Sequence, residues 1–293
     1  MNKSDGILTR IIEWADQEKH IRALILVGSR AGKESVDEFA DFDVSVFAQT
    51  HLPYIQKNQW LFDIGKVWVC VPEKFERNDE IVPTRLVIFE DGIKVDFAFY
   101  GLHVLDELAD DGDELNAGFK VLLDKDGKTK RLKPASFAKS KRAKPTETEF
   151  IARVNEFWYE TYYAAKYLKR GELWLAKLID CNLKRFLLEM IEWHEQSKHD
   201  WDYETYYSGK AMKSWARADT WASLHQTFAH FDSVDSWTSL FASMNLFRQL
   251  ASETAQILEF SYPQEVDRNM TQFVLRIKRR YSIKLTRRPT NQP

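Results

Sequence analysis

Cysteine is scarce in this chain, and uninterrupted apolar runs are short. Among 293 residues only Cys70 and Cys181 carry a thiol, and two cysteines so far apart in sequence build neither a disulfide framework nor a thiolate zinc site. No segment approaches the roughly eighteen apolar residues of a membrane span, and the amino terminus lacks the apolar core of a signal peptide. We therefore expect a protein of the reducing cytoplasm that makes no contact with a membrane.

A strong excess of one charge is also missing. The chain carries 42 Lys and Arg against 44 Asp and Glu, which gives a formal net charge of −2. Proteins that coat nucleic acid usually show a large basic excess. Nucleic acid is therefore not the expected partner, and the sequence leaves the oligomeric state open.

Short strands dominate the first half of the chain. A helix is expected over residues 5–19, the apolar run 23–27 and the alternating stretch 41–47 predict strands, and so does 65–71. Residues 85–99 predict a hairpin, because the Asp-Gly step at its centre supplies the positive backbone angles of a two-residue turn. These elements predict a small mixed sheet within a domain of residues 1–145.

The second half of the chain has a helical pattern. Thr146 and Glu149 have the spacing of a capping box, Gly171 is expected to end the first long helix, and Pro263 to close the last one. We expect a helical bundle domain over 146–280 and a basic, flexible tail over 281–293. The predicted fold class is therefore α+β.

Three aspartates carry the predicted chemistry. Asp41 and Asp43 lie two apart on a strand and share one face. On the hairpin strand, Asp96 points away from Val95 and Phe97. Three carboxylates on one face repel one another unless cations lie between them, and Mg²⁺ prefers such hard oxygen ligands. The sequence therefore predicts a magnesium site at Asp41, Asp43 and Asp96.

The turn that follows the apolar run 23–27 is expected to receive phosphate. Gly28 allows a close backbone approach and Ser29 adds a hydroxyl donor. Together with the metal, this turn would position ATP so that an alcohol attacks the α-phosphorus in line and pyrophosphate leaves. Arg30 could clamp a phosphate, or it could pair with Asp37 or Glu38.

The order of these motifs resembles the polymerase-β-like nucleotidyltransferase superfamily. Longer segments, spread over residues 5–278, resemble the aminoglycoside 6-adenylyltransferase (streptomycin adenylyltransferase) family. They include Gly28-Ser29-Arg30, Asp41-Phe42-Asp43-Val44, Phe89-Glu90-Asp91-Gly92, Lys94-Val95-Asp96, Leu122-Leu123-Asp124-Lys125-Asp126-Gly127, Asn155-Glu156-Phe157-Trp158, Arg170-Gly171-Glu172-Leu173-Trp174 and Leu187-Leu188-Glu189-Met190-Ile191-Glu192-Trp193.

The resemblance implies an amino-terminal nucleotidyltransferase domain, a helical domain and a drug held between them. It also implies ATP as co-substrate, Mg²⁺, and transfer of AMP to a drug hydroxyl. In this pattern Asp41 and Asp43 are metal ligands, Asp96 is a further ligand or the general base, and Ser29 contacts phosphate. Gly32 stands where the family usually has Asn, a departure beside the site that leaves the acceptor open.

Residues of the helical half are candidates for the acceptor and for phosphate. A streptomycin-like drug is cationic, so its pocket should be acidic and partly aromatic. Lys166 could reach the triphosphate or simply face solvent, and Trp158 could stack on a sugar or belong to the core. The remaining candidates for the acceptor wall are the acidic residues Glu156, Asp180 and Glu189.

Other functions are compatible with the same motifs. The fold could serve another small-molecule, protein or RNA hydroxyl, or belong to a catalytically silent relative that binds nucleotide. An Asp-x-Asp pair also occurs in metal-dependent glycosyltransferases. The first hundred residues, however, lack the regular alternation of strands and long helices that such a fold requires.

Overall fold

The structure is a computed structural model that describes residues 3–32, 36–111, 113–137 and 143–286. Its internal contacts divide the chain into two compact units, residues 1–140 and 141–293, here called the sheet unit and the helical unit. A mixed sheet in the first and helices in the second confirm the predicted α+β class. The domain limits at 145 and 280 stay predictions from sequence.

Six strands form the sheet in the order β3-β4-β5-β2-β1-β6. They are β1 (Ile21–Val27), β2 (Phe42–Ala48), β3 (Val67–Arg77), β4 (Glu80–Phe89), β5 (Lys94–Gly101) and β6 (Lys120–Asp124). Strands β2 and β5 run parallel, whereas the four other neighbouring pairs are antiparallel. The sheet is therefore mixed, as the sequence predicted.

Helices cover the two faces of the sheet unequally. The sheet unit contains α1 (Lys3–Gln17), α2 (Leu52–Gln56), α3 (Leu61–Ile64) and α4 (His103–Asp110). On one face, Ile7 and Ile11 of α1 pack in a core with Phe97. On the other face, Val104 and Leu108 of α4 pack with other strand residues. That second face also carries the candidate site.

The hairpin between β4 and β5 turns through residues in the left-handed region. Asp91 has φ 65° and Gly92 has φ 76°, the positive angles expected of the Asp-Gly step, but the loop holds three residues, Glu90–Gly92, so the predicted two-residue turn is wrong. Phe89 N donates a hydrogen bond of 2.8 Å to Ile93 O and closes the turn. The turn fixes the register in which Leu86 pairs with Asp96.

The helical unit is built from six α-helices within its described part, residues 143–286. They are α5 (Glu147–Arg170), α6 (Leu173–Ser197), α7 (Met212–Trp215), α8 (Ala218–Leu224), α9 (Ser233–Leu258) and α10 (Gln264–Thr286). Thr146 and Glu149 form the predicted capping box, and Gly171 ends α5 with φ 77°. Over the described residues, no helix is both long and apolar enough to cross a membrane.

The prediction that Pro263 closes the last helix is wrong. Helix α9 ends at Leu258, and Pro263 immediately precedes α10, a position where a missing backbone N–H costs little. The sequence of α10 is mostly polar and basic, so its buried face was not recognised. Val274 lies on that face and is fully buried. Helix α10 continues to Thr286, and residues 287–293 of the expected tail lie outside the described part of the chain.

Candidate active site

One row of paired residues crosses the sheet at the candidate site. Asp43 on β2 pairs with Asp96 on β5 and, on its other side, with Val27 at the end of β1. Paired residues on neighbouring strands present their side chains to the same face. Asp41 lies just before β2 and two residues from Asp43, so it joins the same face. The structure thus brings together the three predicted carboxylates.

Lys94 is a site residue that the sequence reasoning missed. Its Nζ donates hydrogen bonds to Asp41 Oδ2 at 2.5 Å and to Asp96 Oδ2 at 2.9 Å. Burial acts to lower the pKa of Lys94, but the hydrogen bonds to both carboxylates outweigh it and raise the pKa. The signal was present, because Lys94 precedes Asp96 by two residues on one strand and so shares its face.

Gly28 brings the phosphate turn into contact with the carboxylates. A Cβ built on Gly28 would overlap Oδ2 of Asp43, and the residue has φ 70°. Only glycine satisfies both conditions without strain. Ser29 follows in a short exposed turn in which Ala31 N donates to Gly28 O at 3.1 Å. The predicted turn and the predicted carboxylates therefore form one continuous surface.

The cluster carries an excess of negative charge. Burial, then the neighbouring carboxylates of Asp96 and Asp41, raise the pKa of Asp43, while Lys94 acts in the opposite direction. Oδ1 of Asp96 is buried and has no hydrogen-bond partner. Three carboxylates with one ammonium between two of them form a site that attracts further positive charge.

The donor set fits a hard cation such as Mg²⁺, with one condition. The ligands are carboxylate oxygens, and the buried Oδ1 of Asp96 is an acceptor without a donor. Across the residues that the structure describes, however, no three acidic, imidazole or thiol groups are already arranged around a common metal position. Because Lys94 Nζ lies between Asp41 and Asp96, a metal at this cluster requires the ammonium to move away.

Arg30 supports the loop that leads into β2. Its Nε donates to Ala40 O at 2.8 Å, and its guanidinium carbon lies 4.1 Å from the centre of the Phe42 ring. It forms no ion pair with Asp37 or Glu38, which both belong to the described residues. One of the two predicted alternatives is therefore wrong, and a phosphate contact stays a prediction.

Two of the four predicted acceptor residues meet at an arginine of the helical unit. Arg153 on α5 pairs with Glu156 on the same helix and, at 2.6 Å, with Glu189 on α6. The guanidinium carbon of Arg153 lies 5.1 Å from the centre of the Phe186 ring. Burial raises the pKa of Glu189 although Arg153 opposes the shift. These contacts form an acidic cluster next to an aromatic ring.

The other two predicted acceptor residues lie elsewhere. Asp180 pairs with Lys184 at 2.6 Å, and its nine-residue separation from Glu189 corresponds to about 13 Å along α6. Trp158 is fully buried in the core of the helical unit, where its ring lies against Phe157 and below the guanidinium of Arg248. The prediction that Trp158 stacks on a sugar is wrong, because the ring has no exposed surface.

Lys166 lies among tyrosines on α5. Its Nζ is 5.8, 5.1 and 5.6 Å from the ring centres of Tyr162, Tyr163 and Tyr167. Aromatic faces attract an ammonium group, so these rings account for the position of Lys166 within its own helix. Its predicted contact with the triphosphate stays a prediction.

Comparison with known proteins decides the family. A family model described as streptomycin adenylyltransferase matches residues 1–277. The chain belongs to the streptomycin adenylyltransferase family. Membership makes this chain a relative of enzymes that transfer an adenylyl group, and it confirms the family resemblance seen in the sequence.

Relatives of this family member match it over nearly their whole length. An aminoglycoside 6-adenylyltransferase of Campylobacter jejuni is 29% identical over 97% of this chain and 98% of its own. The enzyme of the same name from Bacillus subtilis (strain 168) is 27% identical over 93% and 97%. A crystal structure of an aminoglycoside 6-adenyltransferase from Bacillus subtilis is 25% identical, covers 95% of this chain and 99% of its own, and has a TM-score of 0.46.

Proposed function

We propose that this family member transfers AMP from ATP to a hydroxyl of a streptomycin-like aminoglycoside and releases pyrophosphate. The observation that carries the proposal is the row in which Asp43 and Asp96 lie side by side, with Gly28 against Asp43. The relatives named aminoglycoside 6-adenylyltransferase support the acceptor class. Val27, which precedes Gly28, and Asp96 flank Asp43 on opposite sides, which supports a phosphate turn on one side and a base on the other.

Asp41, Asp43 and Asp96 would hold Mg²⁺ in this reaction. When bound, Mg²⁺ would neutralise phosphate charge and favour ionisation of the attacking hydroxyl. Asp96 would act as a further metal ligand or as the general base that takes the proton of the acceptor hydroxyl. Gly28 lets the triphosphate approach the backbone closely, and Ser29 offers its hydroxyl to a phosphate oxygen.

When its ammonium group moves away from Asp41 and Asp96, Lys94 would bind a phosphate instead. Its side chain is about one-third exposed, so it can turn toward solvent or toward a bound anion. Pyrophosphate leaves with a large negative charge, and a nearby ammonium stabilises that charge. Lys94 would therefore exchange two carboxylates for a phosphate as the nucleotide binds.

The acceptor is expected to be cationic because the candidate surfaces are acidic. Glu156 and Glu189 both pair with Arg153, and the charge of Arg185 also acts on Glu189, so a drug cation would compete with these arginines for the two carboxylates. A guanidinium or ammonium group of a streptomycin-like drug would find a partner there. The same reasoning disfavours RNA, whose phosphates would be repelled by the acidic cluster.

The test is a pyrophosphate-release assay with purified protein, ATP, Mg²⁺ and a panel of aminoglycosides, followed by mass measurement of the drug. Release that depends on streptomycin, with a drug heavier by one adenylyl group, supports the proposal. Release with RNA or with a different small alcohol alone would assign another acceptor. Absence of release with every acceptor would indicate a nucleotide-binding relative without turnover.

A further inference from the structure

A cavity of about 670 Å³ lies within the helical unit. Leu187 and Ile191 of α6 form its floor, and both belong to the core of that unit. Its other walls come from α7, α8 and the short segments beside them. Sites for small molecules usually measure roughly 300–1,000 Å³, so the cavity has room for such a ligand.

The walls of the cavity are apolar and remain open to solvent. Leu188, Met212 and Leu224 line it, are half-buried and pack against the core. Trp221 is also half-buried, and Phe228 is 64% exposed. A ligand that covered these side chains would remove their apolar surface from water, which is favourable. The ligand therefore needs an apolar body.

The ionisable side chains that line the cavity are Lys184 and Arg185 of α6 and His225, which follows α8. Among the lining residues, all of which belong to the described part of the helical unit, there is no aspartate or glutamate. Such surroundings attract a negative charge and repel a cation such as an aminoglycoside. The cavity therefore favours an anionic ligand.

Lys184 has a hydrogen-bond donor to spare. Its Nζ donates to Asp180 Oδ1 at 2.6 Å and to Ser243 Oγ at 3.0 Å, and it lies 5.3 Å from the centre of the Phe228 ring. An ammonium group carries three donors, so these two bonds leave one for a ligand. The side chain is only 12% exposed, and burial lowers the pKa of Lys184 although Asp180 acts in the opposite direction. A further anion would therefore stabilise its charge.

We propose that this cavity is a binding site for a small apolar carboxylate. The apolar body of the ligand lies against Leu188 and Trp221, and its carboxylate accepts a hydrogen bond from Lys184. Arg185 is exposed and supplies a second positive charge, which also acts on Glu189. One ammonium donor and one guanidinium suit the single charge of a carboxylate better than the double charge of a phosphate monoester. The site lies in the helical unit alone and does not depend on the proposed function.

Two probes of similar shape and opposite charge test the sign of the ligand. Naphthoate is an aromatic carboxylate, and naphthylmethylammonium carries the same ring system with an ammonium group. Isothermal titration calorimetry of the full chain should give a Kd for naphthoate at least about tenfold lower than that for naphthylmethylammonium, because the lining attracts an anion and repels a cation. Saturating ATP should leave the Kd for naphthoate unchanged, since none of the residues proposed to bind nucleotide lines the cavity.

A substitution at the rim of the cavity locates the probe. Phe228→Glu replaces an exposed ring with a carboxylate near Lys184, so it should weaken naphthoate binding about tenfold or more. Phe231→Glu is the matched control, because Phe231 is also 64% exposed but does not line the cavity. Since both rings are exposed, both variants should keep the thermal midpoint of the unmodified protein.

A second substitution removes positive charge from the lining. Arg185→Gln should weaken the binding of naphthoate about three- to fivefold, as expected for an exposed charge contact. Arg268→Gln is its control, because Arg268 is an exposed arginine of α10 that does not line the cavity. This pair of variants decides the question even if Phe228→Glu does not fold.

Each contrary outcome would overturn the inference. Equal Kd values for the two probes would show that the cavity does not select an anion, and no detectable binding of naphthoate would leave it without a ligand. Equal Kd values for naphthoate in Phe228→Glu and Phe231→Glu would place the probe outside the cavity, and displacement of naphthoate by ATP would place it at the nucleotide site. The proposed function is tested separately by pyrophosphate release and stands or falls independently of these results.

Discussion

A half-buried aspartate of the sheet unit, Asp43, and a buried aspartate of the helical unit, Asp267, show opposite shifts of their pKa values. Burial of Asp267 in the helical unit acts to raise its pKa. Hydrogen bonds from Arg248, Tyr262 and Thr271 outweigh this effect and lower the pKa. Arg248 reaches both oxygens of Asp267, each at 2.7 Å. Asp43 in the sheet unit has carboxylates as neighbours, and its pKa is raised.

The contrast separates a carboxylate whose oxygens are paired with donors from one whose neighbours are other carboxylates. Asp267 is surrounded by donors, so its ionised form stabilises the fold and has no capacity left for a ligand. The ionised form of Asp43 is destabilised, because the neighbouring carboxylates repel its charge and burial removes water from it. Binding of a cation stabilises such a carboxylate.

The largest expected effect is the loss of AMP transfer when Asp43 or Asp96 is replaced. Asp43→Asn and Asp96→Asn should each lower kcat for AMP transfer about 10³-fold or more, since loss of a base or of charge stabilisation commonly costs 10²–10⁴-fold. Streptomycin-dependent pyrophosphate release measures the loss. Activity within tenfold of the unmodified protein in Asp96→Asn would remove Asp96 from the reaction.

The same comparison predicts stability changes of opposite sign. Asp267→Asn should destabilise the protein by about 2–4 kcal/mol, because it leaves the charge of Arg248 without its partner. Asp43→Asn should instead raise the melting temperature at pH 7, because it removes a half-buried charge that the carboxylates of Asp96 and Asp41 repel. Calorimetry of both variants measures the two shifts, and two shifts of the same sign would contradict the contrast.

The pH dependence of these shifts follows from the directions of the pKa values. The pKa of Asp267 is lowered from 3.8, so its contribution is present above that value and is lost as pH falls through the lower folded value. The gap between the unmodified protein and Asp267→Asn should therefore close in acid. A gap that stays constant from pH 7 to pH 3 would show that packing, and not charge, sets it.

A smaller effect is expected from the glycine at the phosphate turn. Gly28→Ala would force a Cβ into Asp43 Oδ2 in addition to the positive φ of 70°. We expect a fall in kcat of about 10²-fold, because a displaced carboxylate misaligns the reacting groups, and a loss of about 1–2 kcal/mol from the backbone.

Gly171→Ala is the control for that change. Gly171 has φ 77°, and nothing lies within 4 Å of a Cβ built on it. It should therefore show only the backbone cost of about 1–2 kcal/mol, visible in the melt and absent from kcat. Equal kcat values for the two variants would mean that Gly28 does not support Asp43.

The smallest effect is expected at the acidic cluster of the helical unit. Glu189→Gln should raise the KM for streptomycin about two- to fivefold and leave kcat unchanged, since partly exposed ion pairs contribute up to about 1 kcal/mol. Glu172→Gln, an exposed position before α6, is the control. A KM equal to that of the control would exclude the cluster from acceptor binding.

Local patterns predicted much of the sheet unit and its reactive groups. Alternation along β2 placed Asp41 and Asp43 on one face, and the Asp-Gly step located the turn before β5. The pairing of Asp43 with Asp96 depends on a parallel contact between distant segments, which no local pattern specifies. Lys94 shares a strand face with Asp96, which the sequence does indicate, but its second contact, with Asp41, joins distant segments and is not contained in a local pattern.

Residues of the helical unit were harder to interpret from sequence. An aromatic ring on an amphipathic helix looks the same in sequence whether it faces solvent or core, so the sequence left Trp158 open between a sugar-stacking ring and a core residue. The acidic positions were equally ambiguous until Arg153 was seen to join Glu156 and Glu189 and to leave Asp180 apart. Partner identity is a tertiary property, and the periodicity of a single helix does not contain it.

The most direct test of the central claim is metal binding at the carboxylate row. Mn²⁺, a spectroscopic substitute for Mg²⁺, can be titrated by electron paramagnetic resonance with a non-hydrolysable ATP analogue held at constant concentration. The unmodified protein should bind Mn²⁺ more tightly than the analogue alone does, and Asp43→Asn should lose that gain. Equal Mn²⁺ binding by both proteins would show that Asp41, Asp43 and Asp96 do not form a metal site.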